Sequence, residues 1–411
     1  MEIRNSSSRV ESDRLISLPD SLLCHILSFL PTKLSVATSV LSRRWKFLWT
    51  DVLNLDFDSK YHKRRKSGHG LRIADTISRV MLLSNVRDIN TFRLIIKDGT
   101  FRKTHLDTWI RTTIARNVQA LDIQLYHQVW LPRCLFTCNT LVDLRLHCCG
   151  SVPDSINLPN LKKLHLHYFQ YGNDEKLQNL ISGCPVLEEL NIHKFNVFDL
   201  KHRIIISSPT IKCLTLNLGC FDLNGLGNDS EDDFCDYELE IYTPAVRCLV
   251  LEDQMSQRIA TGKFNSMIEA NIRLYSEEVK DDGVIYSSSV LDLVENLCQV
   301  KCLKLSIGYN QVTDDHLKRW TEPQKVPTCL SSQLKQVTID PFEYLDDEYK
   351  ILSYILRNGK VLNMMDIICE KEINTTTDID AKCADLEKRL NALQRISAFE
   401  RRSETCKLQF S

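Results

Sequence analysis

From Val118 onward the chain repeats one short apolar pattern, and that pattern restricts the fold more than any other feature. The pattern is apolar-x-x-apolar-x-apolar. It occurs as Val118-Leu121-Ile123, Leu141-Leu144-Leu146, Leu161-Leu164-Leu166, Leu187-Leu190-Ile192, Ile211-Leu214-Leu216, Val246-Leu249-Leu251, Val300-Leu303-Leu305 and Leu334-Val337-Ile339. A weaker copy is Glu269-Ile272-Leu274. Each copy ends on a period-two alternation, which marks a short strand because successive strand side chains point to opposite faces. Pro159, Pro185, Pro209 and Pro244 punctuate the turns into strands. One copy cannot bury its own leucines, whereas stacked neighbours can.

One strand per copy, with a return segment between, is the arrangement of a leucine-rich-repeat solenoid whose parallel sheet lines the concave face. The spacing between copies varies, so the solenoid is irregular. The asparagine ladder of regular repeats is nearly absent: Cys149 takes its place in one copy, and Phe169, Phe195, Gly219 and Gln254 in others. Residues between and just after the strand leucines point away from the core. They include Arg145, His147, His165, His167, Asn191, His193 and Asn217, the candidate residues for binding a target. Asp143, Lys163, Glu189, Thr215, Glu252, Arg273, Tyr275, Lys304, Ser306, Thr338 and Asp340 share that face. His147, His167 and His193 fall in one column on consecutive copies. Zinc needs tighter convergence than flat strands supply, so a polar surface for a protein target is expected and a metal is not.

A second stretch, Leu18 to Trp49, reads as three short helices. Asp20 or Ser21 is placed to cap the first. Leu22, Leu23, Ile26, Leu27 and Leu30 then recur at helical spacing, and Pro31 ends the run. A second helix is expected near Leu34 to Val40 and a third from Ser42, carrying Trp45, Phe47, Leu48 and Trp49. So small a unit cannot hide that much apolar surface in its own interior.

The order LPDSLL, ILSFLPTK and TSVLSRRWKFLW resembles an F-box of the plant type. Leu34 is a departure, because the family more often has an acidic or polar residue there. The resemblance implies docking onto a Skp-type adaptor and, through it, onto the cullin and RING subunits of a ubiquitin ligase. Leu18, Pro19, Leu22, Ile26, Leu30, Pro31, Leu41 and Trp45 match the apolar positions that such boxes use for docking or for their own core. The sequence does not separate those two roles.

The last segment reads as strand (Leu334 to Ile339), helix (Asp346 to Arg357), a stop at Gly359 and strand (Val361 to Ile368). It resembles the FBD module that closes many plant F-box proteins with leucine-rich repeats. A final amphipathic helix, about Ala381 to Arg402, places Leu386, Leu390 and Leu393 on one face, expected to pack on this module.

The 411 residues, 43% hydrophobic and 26% charged, describe a folded chain. A net charge of −1 argues against a nucleic-acid partner, which would need a basic field. No stretch is apolar enough to span a membrane. Met1 to Asp13 lacks an apolar signal-peptide core, and the sixteen cysteines show no CxxC pair or framework, so reduced thiols in the cytoplasm, the nucleus or both are expected. The basic run Lys60 to Arg72 is expected as a solvated loop or import signal, and the acidic stretch Asn224 to Asp236 as a surface loop. No P-loop, GxGxxG, HExxH or GxSxG pattern occurs, so no catalytic residue, cofactor or metal is expected.

The expected organisation is mixed α/β: a flexible tail (1–12), an F-box (13–57), a leucine-rich-repeat solenoid (58–327), and an α+β FBD module with a C-terminal helix (328–411). The family reading is a non-catalytic substrate receptor of an SCF-type (Skp–cullin–F-box) ligase with an unknown protein target. The alternative is a repeat scaffold outside any ligase, with the helical stretch as an N-terminal cap. A small-molecule sensor is a third reading, disfavoured because the hormone-receptor relatives it would resemble have much longer solenoids.

Overall fold

The computed structural model describes residues 15, 17–61, 73–97, 101–150, 152–169, 174–193, 203–218, 237–253, 256–276, 293, 296–309, 322, 325–369 and 379–411. The N-terminal tail, residues 62–72 of the basic run, and Asn224 to Asp236 lie outside them. The chain forms two compact units, Met1–Asp143 and Leu144–Ser411.

The first unit opens with α1 (Asp20–Leu27) and α2 (Thr32–Ala37), separated at Pro31. Leu23, Leu27, Leu48 and Val52 are its core, with Leu18, Cys24, Leu30 and Trp45 packed against them. The expected third helix is absent: turns lead to a short 3-10 segment, Leu48–Asp51. Its Trp49 is buried and its start is pinned by the Cys24 thiol donating to the Leu48 carbonyl at 3.3 Å. Asp20 does not cap α1 either, since Pro19 holds the cap position with no side-chain bond. Asp20 instead pairs with Arg44 at 2.6 Å, and Arg44 also donates to the Leu18 carbonyl. Arg44 thereby ties the last turn of the motif to its first.

The helices join directly onto strand β1 (Asn54–Asp58). The Thr32 hydroxyl accepts the Asp56 N–H at 2.7 Å, and Asn54 donates to the Ser28 carbonyl at 3.3 Å. β2 (Thr91–Ile96) and β3 (Ala120–Trp130) follow, with α3 (Ile73–Leu83) and α4 (Lys103–Ala115) as return segments. The strands run parallel in the order β1-β2-β3, so Leu55, Phe92 and Leu121 share one core row, and Phe57, Leu94 and Ile123 the next. The repeat thus begins two strands before Val118, at Val52-Leu55-Phe57 and Ile89-Phe92-Leu94.

The second unit carries β4 (Asp143–Gly150), β5 (Lys163–His167), β6 (Glu189–His193), β8 (Cys213–Asn217), β10 (Cys248–Asp253), β12 (Glu269–Ser276), β13 (Cys302–Tyr309), β14 (Gln336–Phe342), β15 (Met364–Cys369) and β16 (Lys407–Phe410) in one sheet, in that order. Every pair from β5 to β16 is parallel. A recurring backbone contact sets the register at the strand starts. The Lys162 carbonyl accepts two N–H groups of the next copy, those of Glu188 and Glu189, and the Glu188 carbonyl accepts those of Lys212 and Cys213. Lys212, Arg247, Ile268, Lys301 and Lys335 repeat the contact.

That register corrects one copy. Glu269 pairs with Cys248 and faces outward, while Met267, Ala270 and Ile272 fill the core. The copy is therefore two residues earlier than Glu269-Ile272-Leu274, with an alanine where a leucine was sought. Return segments also differ from one another. One is α5 (Asp174–Ser182), but three are strands, β7 (Arg203–Ser207), β9 (Tyr237–Tyr242) and β11 (Ser256–Thr261). They form a second parallel sheet in the order β11-β9-β7, with Arg203 of β7 paired to Glu240 of β9.

The C-terminal segment continues the parallel sheet through β14, β15 and β16. The helix Asp346–Asn358 ends where the Gly359 N–H donates to the Ile355 carbonyl at 2.8 Å. A Cβ on Gly359 would lie 2.9 Å from that carbonyl oxygen, so this closure requires glycine. The last helix, Ile379–Ser397, departs from expectation: Leu386, Leu390 and Leu393 face solvent, and Ala392 and Ile396 are buried instead. On the buried side Arg395 stacks over Tyr349 at 3.9 Å and pairs with Asp346 at 3.0 Å.

Candidate functional site

Two surfaces carry the candidate residues. The first lies on the N-terminal helices. α1 has apolar side chains on two sides. Leu23 and Leu27 point into the core, while Leu22 and Ile26, continued by Phe29 in the turn after the helix, form a stripe on the outside at steps of four and three residues. Val40, Leu41 and Phe47 are exposed as well, and the six side chains range from 41% to 87% accessible. Leu15 and Leu34 add to this exposed apolar set.

The structure divides the eight residues named from sequence. Leu22, Ile26 and Leu41 are exposed. Leu18, Leu30 and Trp45 pack against the core. Pro19 is exposed and Pro31 half-buried, and they precede the first residues of α1 and α2. Phe29 and Val40 were not singled out, and Phe47 was named only within the apolar load that the unit cannot hide, not among the eight docking positions. Phe29 was legible, because it continues the Leu22-Ile26 stripe by three residues. Val40 and Phe47 lie in 3-10 and turn geometry, where no periodicity announces a face.

The second surface is the outward face of β4, β5 and β6. Its strand leucines are sealed: Leu144, Leu146, Leu164, Leu166, Leu190 and Ile192 are buried. Parallel register sets His165 beside Asn191 and His167 beside His193. The His167 and His193 rings stack, with centroids 5.1 Å apart and planes 10° apart. His147 lies 6.0 Å from His167 on its other side and meets the Tyr168 ring edge-on at 5.2 Å. The column continues into β8, where Asn217 is the register partner of His193. Asn217 donates to Glu252 at 2.9 Å and lies 3.5 Å from His193 Nε2.

Charge on this face is locally balanced. Glu189 pairs with Lys163 at 2.8 Å and with His165 at 3.2 Å. Burial, followed by the neighbouring His193, His147, His165 and Arg145, pushes the His167 pKa down to about 4. At neutral pH that ring is uncharged, and it can accept or donate a hydrogen bond. The Asn191 side-chain oxygen is buried without a hydrogen-bond partner among the described residues, an acceptor left open on the same face. All seven candidate residues, Arg145, His147, His165, His167, Asn191, His193 and Asn217, therefore lie on one face of four neighbouring strands. Among the described residues no group of three or more His, Cys, Asp or Glu is placed to hold a metal. Tyr275 has a described backbone in β12, and its side chain lies outside the description. Of the ladder positions, Cys149 and Phe169 are buried, and Phe195, Gly219 and Gln254 lie outside the described residues. No described helix is long and apolar enough to cross a membrane.

Three family models match the chain: the F-box domain at residues 15–57, the LRR repeats of FBD-associated F-box protein At5g56370 at 106–226, and FBD at 322–367. Among curated relatives, F-box protein At4g09920 of Arabidopsis thaliana is 33% identical over 325 residues, covering 77% of this chain and 94% of its own length. F-box/FBD/LRR-repeat protein At3g52680 of the same plant is 27% identical over 450 residues, covering 97% of this chain and 93% of its own. FBD-associated F-box protein At4g10400 is 29% identical and matched along its whole length. With the helical unit, the parallel repeat sheet and the closing FBD segment in one order, the chain belongs to the plant F-box/FBD/LRR-repeat family.

Proposed function

We propose that this chain is the substrate-recognition subunit of an SCF-type ubiquitin ligase. Its N-terminal helices dock a Skp-type adaptor, which connects to cullin and RING subunits, and its repeat sheet holds a protein target. The observation that carries this reading is the outward apolar set on a unit whose core is already complete. Leu22, Ile26, Phe29, Val40, Leu41 and Phe47 stay exposed although Leu23, Leu27, Leu48 and Val52 pack together. Exposed apolar side chains of this size mark a protein interface. In this assignment Leu22, Ile26 and Leu41 touch the adaptor, and Pro19 and Pro31 set the helix starts. Leu18, Leu30 and Trp45 support docking from within the core.

The chain has no chemistry of its own to perform in this role. It raises the local concentration of a target near a ubiquitin donor carried by other subunits. The direct bonds from Thr32 to β1 and from Asn54 to Ser28 hold the docking helices to the first strand. The target face includes Arg145, His147, His165, His167, Asn191, His193 and Asn217, a polar surface suited to a hydrogen-bonding protein segment.

A pull-down with purified Skp-type adaptor tests the docking half. The intact chain is expected to be retained, and Leu22→Ala with Pro19→Ala is expected to abolish retention while the variant melts as the parent does. Retention by the double variant, or none by the parent, would leave a repeat scaffold outside the ligase as the better reading.

A further inference from the structure

Cys213 and Cys248 are 35 positions apart in sequence yet face each other as register partners on the parallel strands β8 and β10. The pairing is fixed at that point by backbone bonds. The Lys212 carbonyl accepts the Arg247 N–H at 2.8 Å and the Cys248 N–H at 3.2 Å. Both thiols are free, Cys213 is exposed and Cys248 is half-buried. In-register neighbours on adjacent strands have Cα atoms about 4.8 Å apart, inside the roughly 4.4–6.8 Å range that a disulfide spans. The next cysteine along the row, Cys302, is separated from Cys248 by β12, where Glu269 occupies the position. Two strand spacings, about 9–10 Å, exceed disulfide reach.

We propose that Cys213 and Cys248 form a reversible dithiol–disulfide site on the outer face of the repeat sheet, oxidised by small disulfides of the glutathione type. The Cys213 thiolate attacks one sulfur of the small disulfide and releases one thiol. The result is a mixed disulfide on Cys213. Cys248, as thiolate, then attacks the Cys213 sulfur and releases the second thiol, leaving the 213–248 bond. Two protein thiols and one small disulfide become one protein disulfide and two small thiols, so atoms and electrons balance.

The surroundings suit this order. Cys213 is the accessible partner and meets the oxidant first. Burial, and then the neighbouring Cys213 and the Glu269 carboxylate, hold the Cys248 thiol above its ordinary pKa, while Arg247 opposes them. Capping Cys213 removes its negative charge and so lifts one restraint on Cys248. Side chains on parallel neighbours also run side by side, and a disulfide must draw their Cβ atoms closer than the strand spacing does, to about 3.8 Å. That strain makes the bond easy to reduce, the behaviour of a sensing disulfide more than a structural one. Other thiols are less suited: Cys184 and Cys329 are buried, and burial raises their pKa values to about 12 and about 11.

The test uses the folded full-length chain equilibrated across glutathione buffers of falling thiol-to-disulfide ratio, alkylated with iodoacetamide, and mapped by peptide mass spectrometry. The expected result is a 213–248 cross-linked peptide that appears in one two-electron transition and is lost on adding dithiothreitol. Cys248→Ser should convert Cys213 to a stable glutathione adduct, and Cys302→Ser should leave the transition within about 2-fold of its original midpoint ratio. Thermal melts of each serine variant establish that the fold persists. The proposal is overturned if Cys213 and Cys248 of the parent are alkylated at every ratio. A glutathione adduct on Cys213 that persists beside a free Cys248 thiol would overturn it too.

Discussion

The N-terminal helices and the repeat sheet both place apolar residues at regular intervals, but only one of them turns a second apolar set outward. In the sheet, alternate residues are sealed and their neighbours are polar: Leu164 and Leu166 are buried, while Lys163, His165 and His167 face out. In α1, Leu23 and Leu27 are buried while Leu22 and Ile26 face out, and Phe29 in the turn that follows extends the outward stripe. A stacked strand needs one apolar face, because its neighbours and return segment cover that face alone. A helix with apolar residues on two sides needs two partners, and the chain supplies one. The difference distinguishes a surface that recognises by polar pattern from one that docks by apolar burial.

The comparison breaks first at the sheet core. Leu164→Ala removes a sealed side chain between two packed neighbours, and urea unfolding should show a loss of about 2–5 kcal/mol. A loss below 1 kcal/mol would mean that the row is looser than its burial implies.

On the helices, Leu22→Ala combined with Phe29→Ala should cost almost no stability yet weaken adaptor binding by at least about 100-fold, read by calorimetry. If the pair instead unfolds the chain, these side chains belong to a core and the contrast with the sheet disappears. Replacing His147, His167 and His193 together by alanine should weaken target capture and leave adaptor binding unchanged, which co-purification with each partner would report. Equal capture by the triple variant would remove the column from the recognition face.

A smaller effect concerns pH. The folded-state pKa of His167 lies near 4, below the ordinary value of about 6.5. The unfolded chain therefore takes up a proton at this site before the folded chain does. The stabilisation is complete above about pH 6.5 and is lost as pH falls toward 4. Denaturant midpoints should drop across that window, and His167→Gln should flatten the drop. Arg145, His147, His165 and His193 depress this group, with Glu189 and Glu252 as nearby carboxylates, so imidazole NMR titration is the direct check.

The smallest effect is expected on the last helix. Leu390→Gln should shift stability by less than about 0.5 kcal/mol, whereas Ile396→Ala should cost measurably more. Equal losses would mean that both faces of this helix are packed.

Much of the architecture was legible in the order of residues. The copies from Val118 to Ile339 mark strands that the structure contains, because strand burial has period two and is local. Ile73 to Leu83 was legible as a helix for the same reason, at a period of 3.6. The helices Lys103–Ala115 and Asp174–Ser182 were not. Thr104, Thr108 and Thr112 dilute the first, and the core supplies what local propensity does not. The three return strands of the second sheet were missed because only Arg203–Ser207 has a β-branched run, and Tyr237–Tyr242 and Ser256–Thr261 carry no such signal.

Residue order by itself determined which kinds of side chain could be sealed and in what rhythm. It marked the helical motif, the repeat and the histidine column as polar outward positions. Only the tertiary structure decided which apolar residues remained uncovered. Leu22 and Leu23 are identical side chains one step apart, yet one is exposed and the other buried. Likewise Leu386, Leu390 and Leu393 face solvent, while Ala392 and Ile396 on the other side of that helix are buried. Cys213 and Cys248 become neighbours only through the register of two distant strands. Burial depends on what stands opposite a side chain, and that partner comes from elsewhere in the chain.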